Sequence, residues 1–316
     1  MAVVASAGIT PRKKSLWKRI VEQKVLVLMI LPFLVWIVIF RLAPLFGWIM
    51  AFQDFKPGNG VGRGIIGSPF VGLKHFITLF ADPMFYLAMR NTLAMSVLGL
   101  VFGFTVPILF AVLLNEVNNR YFKKLVQTVS YLPHFISWVI ASSIIKLVLS
   151  NTGILNDILL NLGMIIKPIS FMQIPKAFWW IVVLSDLWKE VGWGSIIYLA
   201  AITGIDPALY EAAEIDGAGR IRRIWHITLP SIRPTMVVIL IISIGWLIQI
   251  GFERQYLLGN ALVQDYALVL DLYVLNYGLN LARYSFGTAI GIFKSLISLL
   301  LVFGANWVSH KFNEGI

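Results

Sequence analysis

The chain has 316 residues, of which 59% are hydrophobic and only 13% are charged. Soluble globular domains carry about 25% charged residues, so water is not the solvent for most of this surface. The mean hydropathy is +0.83, and several apolar runs approach the roughly 20 residues that cross a bilayer. These properties predict a polytopic helical membrane protein.

The formal net charge of +11 raises the question of a nucleic-acid partner. The basic residues are scattered between apolar runs, without an aromatic stripe on a polar domain, which argues against nucleic-acid binding. The absence of cysteine excludes disulfides, thiol catalysis and thiolate metal sites. The four histidines lack the i, i+4 spacing of a helical zinc site, so no metal site is expected.

The apolar runs predict an all-α fold with six membrane-spanning helices, because backbone polar groups in lipid must be satisfied within a helix or a closed barrel. The short alternating strands of a barrel are absent from the sequence. The predicted spans are Val25–Met50, Asn91–Val117, Lys124–Leu149, Ala177–Thr203, Pro234–Leu258 and Phe286–Ser309. A basic cytoplasmic segment at 1–24 precedes a transmembrane domain at 25–316.

Basic residues set the predicted orientation, because lysine and arginine are retained on the cytoplasmic side. With a cytoplasmic N-terminus, fourteen basic residues lie inside and seven lie outside or at the outer edge. Both termini are then cytoplasmic. The first apolar run resembles a secretory signal, but it is longer than a signal core and lacks a clear cleavage site, so we interpret it as an uncleaved first span.

The segment 204–234, between the fourth and fifth predicted spans, contains most of the ordered polar sequence and is called the coupling segment below. Asp206 is a good helix N-cap, and Pro207 suits the first helical position. Glu211 and Glu214 follow near the helix N-terminus, where the helix dipole favours carboxylates. A short helix is therefore predicted to begin at Asp206.

Glycine and proline residues then punctuate the same segment. Gly217 and Gly219 allow the left-handed backbone angles that end a helix. A second short helix is expected at 220–227, and Pro230 and Pro234 are expected to break the chain before the fifth span.

Ala212 and Ala213 give the first short helix a flat side that a protein partner can approach closely, with Glu211 available for a charge-assisted contact. A helix lying on lipid headgroups is an equally good interpretation, because the three arginines at 220–223 suit such a role. Local chemistry alone does not separate these two interpretations.

Several residues at fixed spacing resemble the EAA loop of binding-protein-dependent ABC importer permeases, a family with the type I importer fold. The residues that carry this resemblance are Glu211, Ala212, Ala213, Gly217, Ile227, Leu229 and Pro230. The resemblance implies ATPase contacts by Glu211, Ala212, Ala213, Asp216 and Gly217. It also implies that Leu229 and Pro230 shape the return of the chain into the membrane.

Other residues resemble the sugar-permease branch of that family, particularly permeases for oligosaccharides and polysaccharide fragments. They are Asn91-Thr92, Tyr131-Leu132-Pro133 and the stretch 188–199. The resemblance implies a multi-pass protein of the cytoplasmic (inner) membrane that works with a second permease chain, two ATPase subunits and an extracytoplasmic solute-binding protein. An acidic sugar is one option, but the net charge does not decide it, because fourteen basic residues lie on the predicted cytoplasmic side.

Polar residues inside a span are costly and need a reason. In the fourth span, Asp186, Lys189, Glu190 and Trp193 share one helical face, with Trp188 alongside. We predict either a sugar pathway, in which aromatic rings stack on sugars and carboxylates accept hydroxyl hydrogen bonds, or an internal ion pair that fixes helix packing. The other pathway candidates are Trp138, Trp246 and Gln249, with His134 nearby.

No Gly-Lys dipeptide occurs in the chain, so a phosphate-binding P-loop is absent. The chain is therefore predicted to be neither an enzyme nor a cofactor-binding protein. ATP and magnesium are expected to be bound by the partner ATPase. The alternative is an ion-coupled secondary transporter that uses Asp186 and Glu190. A membrane enzyme would need a catalytic constellation, which the sequence lacks.

Overall fold

The computed structural model describes residues 22–56, 65 and 67–311. One prediction, the basic cytoplasmic segment 1–24, falls largely outside this range.

The chain divides into two compact units, Met1–Ile49 and Met50–Ile316. The first unit contains helix α1, Lys24–Ile37, which continues through a π-helical stretch, Val38–Leu42, into a 3-10 helix, Ala43–Phe52. No residue of α1 is buried. Its uniformly apolar surface suits lipid or another membrane-embedded helix as its surroundings.

The second unit is helical throughout its described residues, apart from loops and one isolated bridge between Gln53 and Phe70. Its α-helices are α2 Lys74–Ala81, α3 Pro83–Asn115, α4 Arg120–Tyr131, α5 Trp138–Val148, α6 Ile154–Asn161, α7 Phe178–Thr203, α8 Pro207–Ile215, α9 Arg220–Arg223, α10 Leu229–Gly245, α11 Glu253–Leu258, α12 Gln264–Ala267, α13 Leu270–Tyr273 and α14 Tyr284–Lys311.

Within the described residues, four helical stretches are long and apolar enough to cross a membrane, and two bent helix pairs raise the number to six if each pair is one span. The straight stretches are Lys24–Phe52, Pro83–Asn115, Arg220–Gly245 and Tyr284–Lys311. The first, fourth and sixth predicted spans agree closely with the observed helices. The all-α, six-span prediction is thus confirmed, with corrections to the other three spans.

The second span begins earlier than predicted. Asp82 caps α3 by accepting a hydrogen bond from the Met84 amide at 2.9 Å, and Pro83 occupies the first helical position. Asn91, which was expected to open the span, lies in the third turn and is fully buried. An aspartate followed by proline is a strong helix start.

The third span is not one straight helix, because α4 and α5 are bent by 108°. Pro133 lies in a 3-10 turn, Leu132–Phe135, and Ser137 then caps α5. Proline removes a backbone donor and the serine hydroxyl starts a new helix, which together explain the break. This break was not predicted.

The prediction that Pro230 and Pro234 separate the coupling segment from the fifth span is wrong. Residues Arg220–Gly245 form one helical stretch, with both prolines inside it. A π-helical stretch, Ile224–Thr228, directly precedes the prolines. Such widened turns accommodate local departures from regular helical hydrogen bonding without ending the helix.

The fifth span also ends earlier than predicted, at Gly245 rather than Leu258. The chain turns at Gly251, whose φ is +77°, and only then forms the short helix α11. Trp246 and Gln249 therefore belong to a turn and not to a continuous helical face. Glycine tolerates this left-handed conformation, which would be strained for other residues.

Two apolar cores flank the middle of the second unit. One core includes Phe85, Phe178 and Tyr273, and the other is built around Tyr198 and Ile232. The polar residues of the fourth span lie along α7 between these two cores, which leaves room there for a cavity.

Candidate functional site

The coupling segment forms a helix with defined caps at both ends. Asp206 accepts a hydrogen bond from the Ala208 amide at 2.9 Å, which caps the N-terminus of α8. At the other end, the Ala218 amide donates to the Ala213 carbonyl at 2.8 Å, and Gly217 has a φ of +75°. This is a Schellman termination. The start and the end of α8 were both predicted.

Two side-chain contacts connect α8 to the long helix that follows it. The Tyr210 hydroxyl lies 3.0 Å from the hydroxyl of buried Thr228. The Arg223 guanidinium lies 3.2 Å from the carboxylate of Glu214. Because the Arg223–Glu214 pair is exposed at Glu214, it contributes little, about 0–1 kcal/mol, and the Tyr210 contact is the better anchor.

Most residues that the family resemblance assigned to ATPase contact are exposed. Glu211, Ala212, Asp216 and Gly217 are exposed, whereas Ala213 is half-buried. Pro230 is exposed and Leu229 is half-buried within the long helix. The same surface includes Ile215 and Ile221, which are 86% and 73% exposed and were not predicted as site residues.

A second group of polar residues, called the central cluster, comprises His134, Trp138, Asp186, Lys189, Glu190, Trp193 and Arg254. It draws on the break between α4 and α5, on α7, and on α11. Its members are thus far apart in the sequence, and only the α7 members were predicted from their spacing.

The broken third span is held against α7 by three contacts at His134. Its ring Nδ1 lies 2.7 Å from Glu190 Oε2, and its backbone carbonyl accepts a hydrogen bond from Lys189 Nζ at 2.7 Å. Its ring also stacks on Trp193, with 4.3 Å between ring centroids. The Lys189 ammonium, which is almost fully buried, lies 3.1 Å from Glu190 as well. The buried Lys189 ammonium therefore has both an opposite charge and a hydrogen-bond acceptor beside it.

Asp186 forms an ion pair with Arg254, with 2.7 Å between the carboxylate and the guanidinium. Trp138 lies beside both cations of the cluster, with its ring centroid 5.6 Å from Lys189 Nζ and 5.8 Å from the Arg254 guanidinium carbon. Arg254 was not predicted as a site residue, although a basic residue inside a predicted span is costly and needs a reason.

The cluster borders a cavity of about 380 Å³ between α3, α7, α10 and the turn that leads to α11. Asp186, Glu190, Trp246, Gln249 and Arg254 all line it. The structure thus brings four of the eight predicted pathway residues to one cavity. Gln249 also donates a hydrogen bond to Ser298 at 3.2 Å. Trp193 lines a smaller adjoining cavity of about 140 Å³.

Gln255 is a further cavity residue that the sequence did not suggest. Its side chain is buried, and its amide oxygen has no hydrogen-bond partner among the described residues. A buried amide oxygen without a partner is costly, so a bound molecule or water in the cavity would find an acceptor there.

Trp188 is not part of this arrangement. It is 42% exposed and lines a separate apolar groove with Ile144 and Ile181. Successive helical residues differ in direction by about 100°, so Trp188 points away from the face that carries Asp186 and Glu190.

Gly99 and Gly103 have the small-xxx-small spacing that often permits close helix packing, but they do not serve that role within this chain. Both line the cavity, and a Cβ atom added at either would meet nothing within 4 Å. Gly192, in contrast, allows true close packing, since its added Cβ would lie 2.1 Å from the Ser130 carbonyl oxygen. Small residues at helical spacing can thus widen a cavity as well as permit close helix packing.

No group of three or more histidine, aspartate or glutamate residues that could hold a metal occurs within the described residues. The cavity chemistry is that of ion pairs, amides and aromatic rings, which can bind a polar solute through hydrogen bonds and stacking.

The fold and the cavity define a multi-spanning transport subunit. The family of binding-protein-dependent transport system inner membrane components matches residues 103–314. The polygalacturonan/rhamnogalacturonan transport system permease protein YteP of Bacillus subtilis (strain 168) is 46% identical over 304 residues, which cover 96% of this chain and 93% of YteP.

Solved structures agree with this similarity. A bacterial ABC transporter involved in the import of the acidic polysaccharide alginate contains a chain that is 41% identical, with a TM-score of 0.85, covering 94% of this chain and 99% of its own. A bacterial alginate ABC transporter in complex with an alginate pentasaccharide-bound periplasmic protein matches at 40% identity and a TM-score of 0.85, with coverage of 96% and 99%.

This chain belongs to the family of binding-protein-dependent transport system inner membrane components. The prediction of an inner-membrane ABC importer permease with the type I fold is confirmed. The alternative of an ion-coupled secondary transporter is not favoured by these similarities.

Proposed function

We propose that this chain forms part of the pathway for an acidic oligosaccharide and that a separate ATPase drives its movement through α8. Similarity supports the substrate class, since YteP is named for polygalacturonan and rhamnogalacturonan and the solved neighbours import alginate. The cavity offers a group that can bind an acidic sugar, because Arg254 lies in its wall.

Arg254 suits a substrate that carries carboxylates, because its planar guanidinium binds carboxylates through two parallel hydrogen bonds. In the structure it is paired with Asp186 at 2.7 Å. A uronate would have to compete with Asp186 for the guanidinium. Such competition keeps binding weak enough for release, which is a requirement for passage through a pore.

Aromatic and amide groups of the same wall suit the rest of a sugar. Trp246 is 62% exposed and can stack on an apolar sugar face, while Gln249 and Gln255 offer amide groups to hydroxyls. Asp186, Lys189, Glu190, Trp138 and Trp193 would then shape the wall around Arg254. Their ion pairs and ring contacts suggest that they position the pathway as well as line it.

The observation that carries the coupling proposal is the continuous helix Arg220–Gly245. Its cytoplasmic end is connected to α8 through Tyr210 and Thr228, and its other end lines the cavity at Ile242 and Ser243. A displacement of α8 by a closing ATPase would therefore reach the cavity through a single rigid element. Glu211, Ala212, Ala213, Asp216 and Gly217 are the proposed contacts, and Leu229 and Pro230 lie in the transmitting helix.

The proposed assembly contains a second permease chain, two ATPase subunits that bind ATP and magnesium, and an extracytoplasmic solute-binding protein. The similarity to a solved transporter that holds a substrate-bound periplasmic protein supports this arrangement. A cavity of about 380 Å³ is small for an oligosaccharide, so a second permease is needed to complete the pathway.

The test is ATP-dependent uptake into vesicles that contain the whole complex and its binding protein. An oligogalacturonide should enter in preference to a neutral malto-oligosaccharide of the same length. Arg254→Gln, measured per assembled complex, should reduce uptake of the oligogalacturonide more than Arg254→Lys does. Equal uptake of both sugars would contradict the substrate proposal, and uptake without ATP would contradict the coupling proposal.

A further inference from the structure

The second unit has a long apolar groove between α10 and α14, on a different surface from the central cavity. Its volume is about 600 Å³. It is lined by Val237, Leu240, Ile241, Ile244, Leu300, Leu301, Gly304, Ala305 and Val308, with Arg233 and Ser309 at one end. The exposed fractions of Leu300 and Val308, 72% and 47%, show that the groove is open along its side.

The length of the groove matches one leaflet of a bilayer. From Arg233 to Ile244 the helix rises about 16 Å, since an α-helix rises about 1.5 Å per residue. The hydrocarbon core of a bilayer is about 30 Å thick, so the groove spans about half of it. Arg233 belongs to the end of α10 that joins the coupling segment, which places the groove in the cytoplasmic leaflet.

Glycine geometry explains why the groove is open at one end and closed at the other. A Cβ added at Gly245 would lie 2.7 Å from a methyl group of Val302, so the helices touch at the membrane centre. A Cβ added at Gly304 would meet nothing within 4 Å. The two helices therefore separate toward the cytoplasm and leave a tapered apolar space.

The open end is basic. Arg233 lines it, and His310 and Lys311 lie in the last turn of α14. The Lys311 ammonium lies 3.9 Å from the ring centroid of Trp307, which is 63% exposed. Aromatic and basic residues at this depth are typical of the headgroup region. Among the residues that the structure describes, no aspartate or glutamate lines the groove.

We infer that this groove binds an anionic phospholipid of the cytoplasmic leaflet, with an acyl chain between α10 and α14 and the phosphate at Arg233. The groove and bulk lipid are similarly apolar surroundings for an acyl chain. Its insertion into the groove therefore does not favour one lipid headgroup over another. Selection comes from charge, at about fivefold for one basic residue near the surface.

The test uses a photoreactive amino acid in the complete transporter, within native membranes. Position 304 probes the groove, position 308 is a second probe, and Leu113 is the control. Leu113 is 66% exposed near the end of α3 that leads to the predicted cytoplasmic loop, so it samples bulk lipid of the same leaflet. Mass spectrometry then identifies the molecule attached at each position.

The expected adduct at 304 and 308 is a phospholipid, with an anionic share about fivefold above that at Leu113. Arg233→Gln should remove this enrichment, and Arg233→Lys should keep most of it. An adduct with a polypeptide would show that a helix of a partner subunit fills the groove. That result would overturn the inference, as would a lipid composition equal to the control or the absence of any lipid adduct at both positions.

Discussion

The coupling segment and the central cluster are built in opposite ways. The coupling segment is local and mostly exposed, and α8 is defined by caps within a dozen residues of one another. The central cluster is mostly half-buried and joins His134, α7 and Arg254, with contacts between residues at least 55 positions apart. The coupling segment can be predicted from the spacing of its residues in the sequence, whereas the central cluster depends on how distant helices pack together.

This difference affects how freely each region can move. An exposed, well-capped helix offers a partner a defined surface and can move without the loss of buried contacts. The central cluster has paired charges in a partly dry environment, where the loss of one partner is costly. The helix Arg220–Gly245 joins the two regions, so each can be perturbed separately to test their roles.

The largest effect is expected at Glu211. Glu211→Lys should lower ATP-driven uptake about 100-fold, because it replaces a charge-assisted contact with a repulsive one at the ATPase surface. Assembly in the membrane should be unchanged, since Glu211 is exposed. The control on the same helix is Glu214→Gln, which removes only an exposed ion pair and should change uptake less than about twofold. Similar uptake by the two variants would show that Glu211 is not part of the docking surface.

A packing change should disrupt the central cluster without altering α8. Gly192→Ala places a methyl group against the Ser130 backbone, at the end of α4 that leads to His134. We expect a loss of about 3 kcal/mol in the free energy of unfolding, at the upper end for overpacking, because backbone must move. Thermal unfolding of the purified complex measures this loss.

Gly103→Ala is the matched control for Gly192→Ala, because its added methyl group faces the open cavity. The unfolding free energy should stay constant or rise by up to about 1 kcal/mol, since alanine favours the helix. Uptake should nevertheless fall as the cavity narrows. A stable Gly192→Ala variant, or a destabilised Gly103→Ala variant, would contradict the packing described here.

The ion pair between Asp186 and Arg254 should show an intermediate effect. Arg254→Gln leaves a partly buried carboxylate without its partner, at an expected loss of about 2 kcal/mol in the free energy of unfolding. Addition of Asp186→Asn should restore most of that loss, because the unpaired charge is then gone. The control is Lys56→Gln, which breaks the exposed ion pair between Lys56 and Asp54, 3.6 Å apart. It should have almost no effect on the free energy of unfolding. Strict additivity of the two cluster substitutions would mean that the pair is not coupled.

The smallest effect is expected at the N-terminus of α8. Asp206→Ala removes the cap on Ala208 and should cost about 1 kcal/mol of local helix stability. Hydrogen exchange of the amides at 208–211 should accelerate about fivefold, and Asp206→Ser should restore much of the protection. Unchanged exchange in the alanine variant would show that the partner surface, and not the cap, holds this helix.

Hydropathy and caps were sufficient to predict the number of spans and the bounds of α8, because both signals are local. The break at Pro133 and Ser137 was missed, since the apolar pattern continues through it and the contacts of Lys189, Glu190 and Trp193 with His134 come from a distant helix. Spacing within the sequence cannot show that a lysine on one helix will meet a carbonyl on another.

The fifth span shows the opposite error. Pro230 and Pro234 suggested a break, but a π-helical turn accommodates them and the helix continues. Gly251 then turns the chain, and Arg254 of the short helix that follows lines the cavity. The predicted span ran straight through this turn, so the position of Arg254 at the site was not foreseen.

The proposed contact between α8 and a nucleotide-hydrolysing partner on the cytoplasmic side can be tested by cross-linking. The chain contains no cysteine, so Ala212→Cys provides a unique and exposed reactive position. In the complete transporter, a photoactivatable reagent attached to this cysteine should cross-link the chain to an ATPase subunit, and a membrane-impermeant thiol reagent should not reach it from outside intact cells. Labelling from outside, or a complex that forms no ATPase cross-link at this position, would contradict the account.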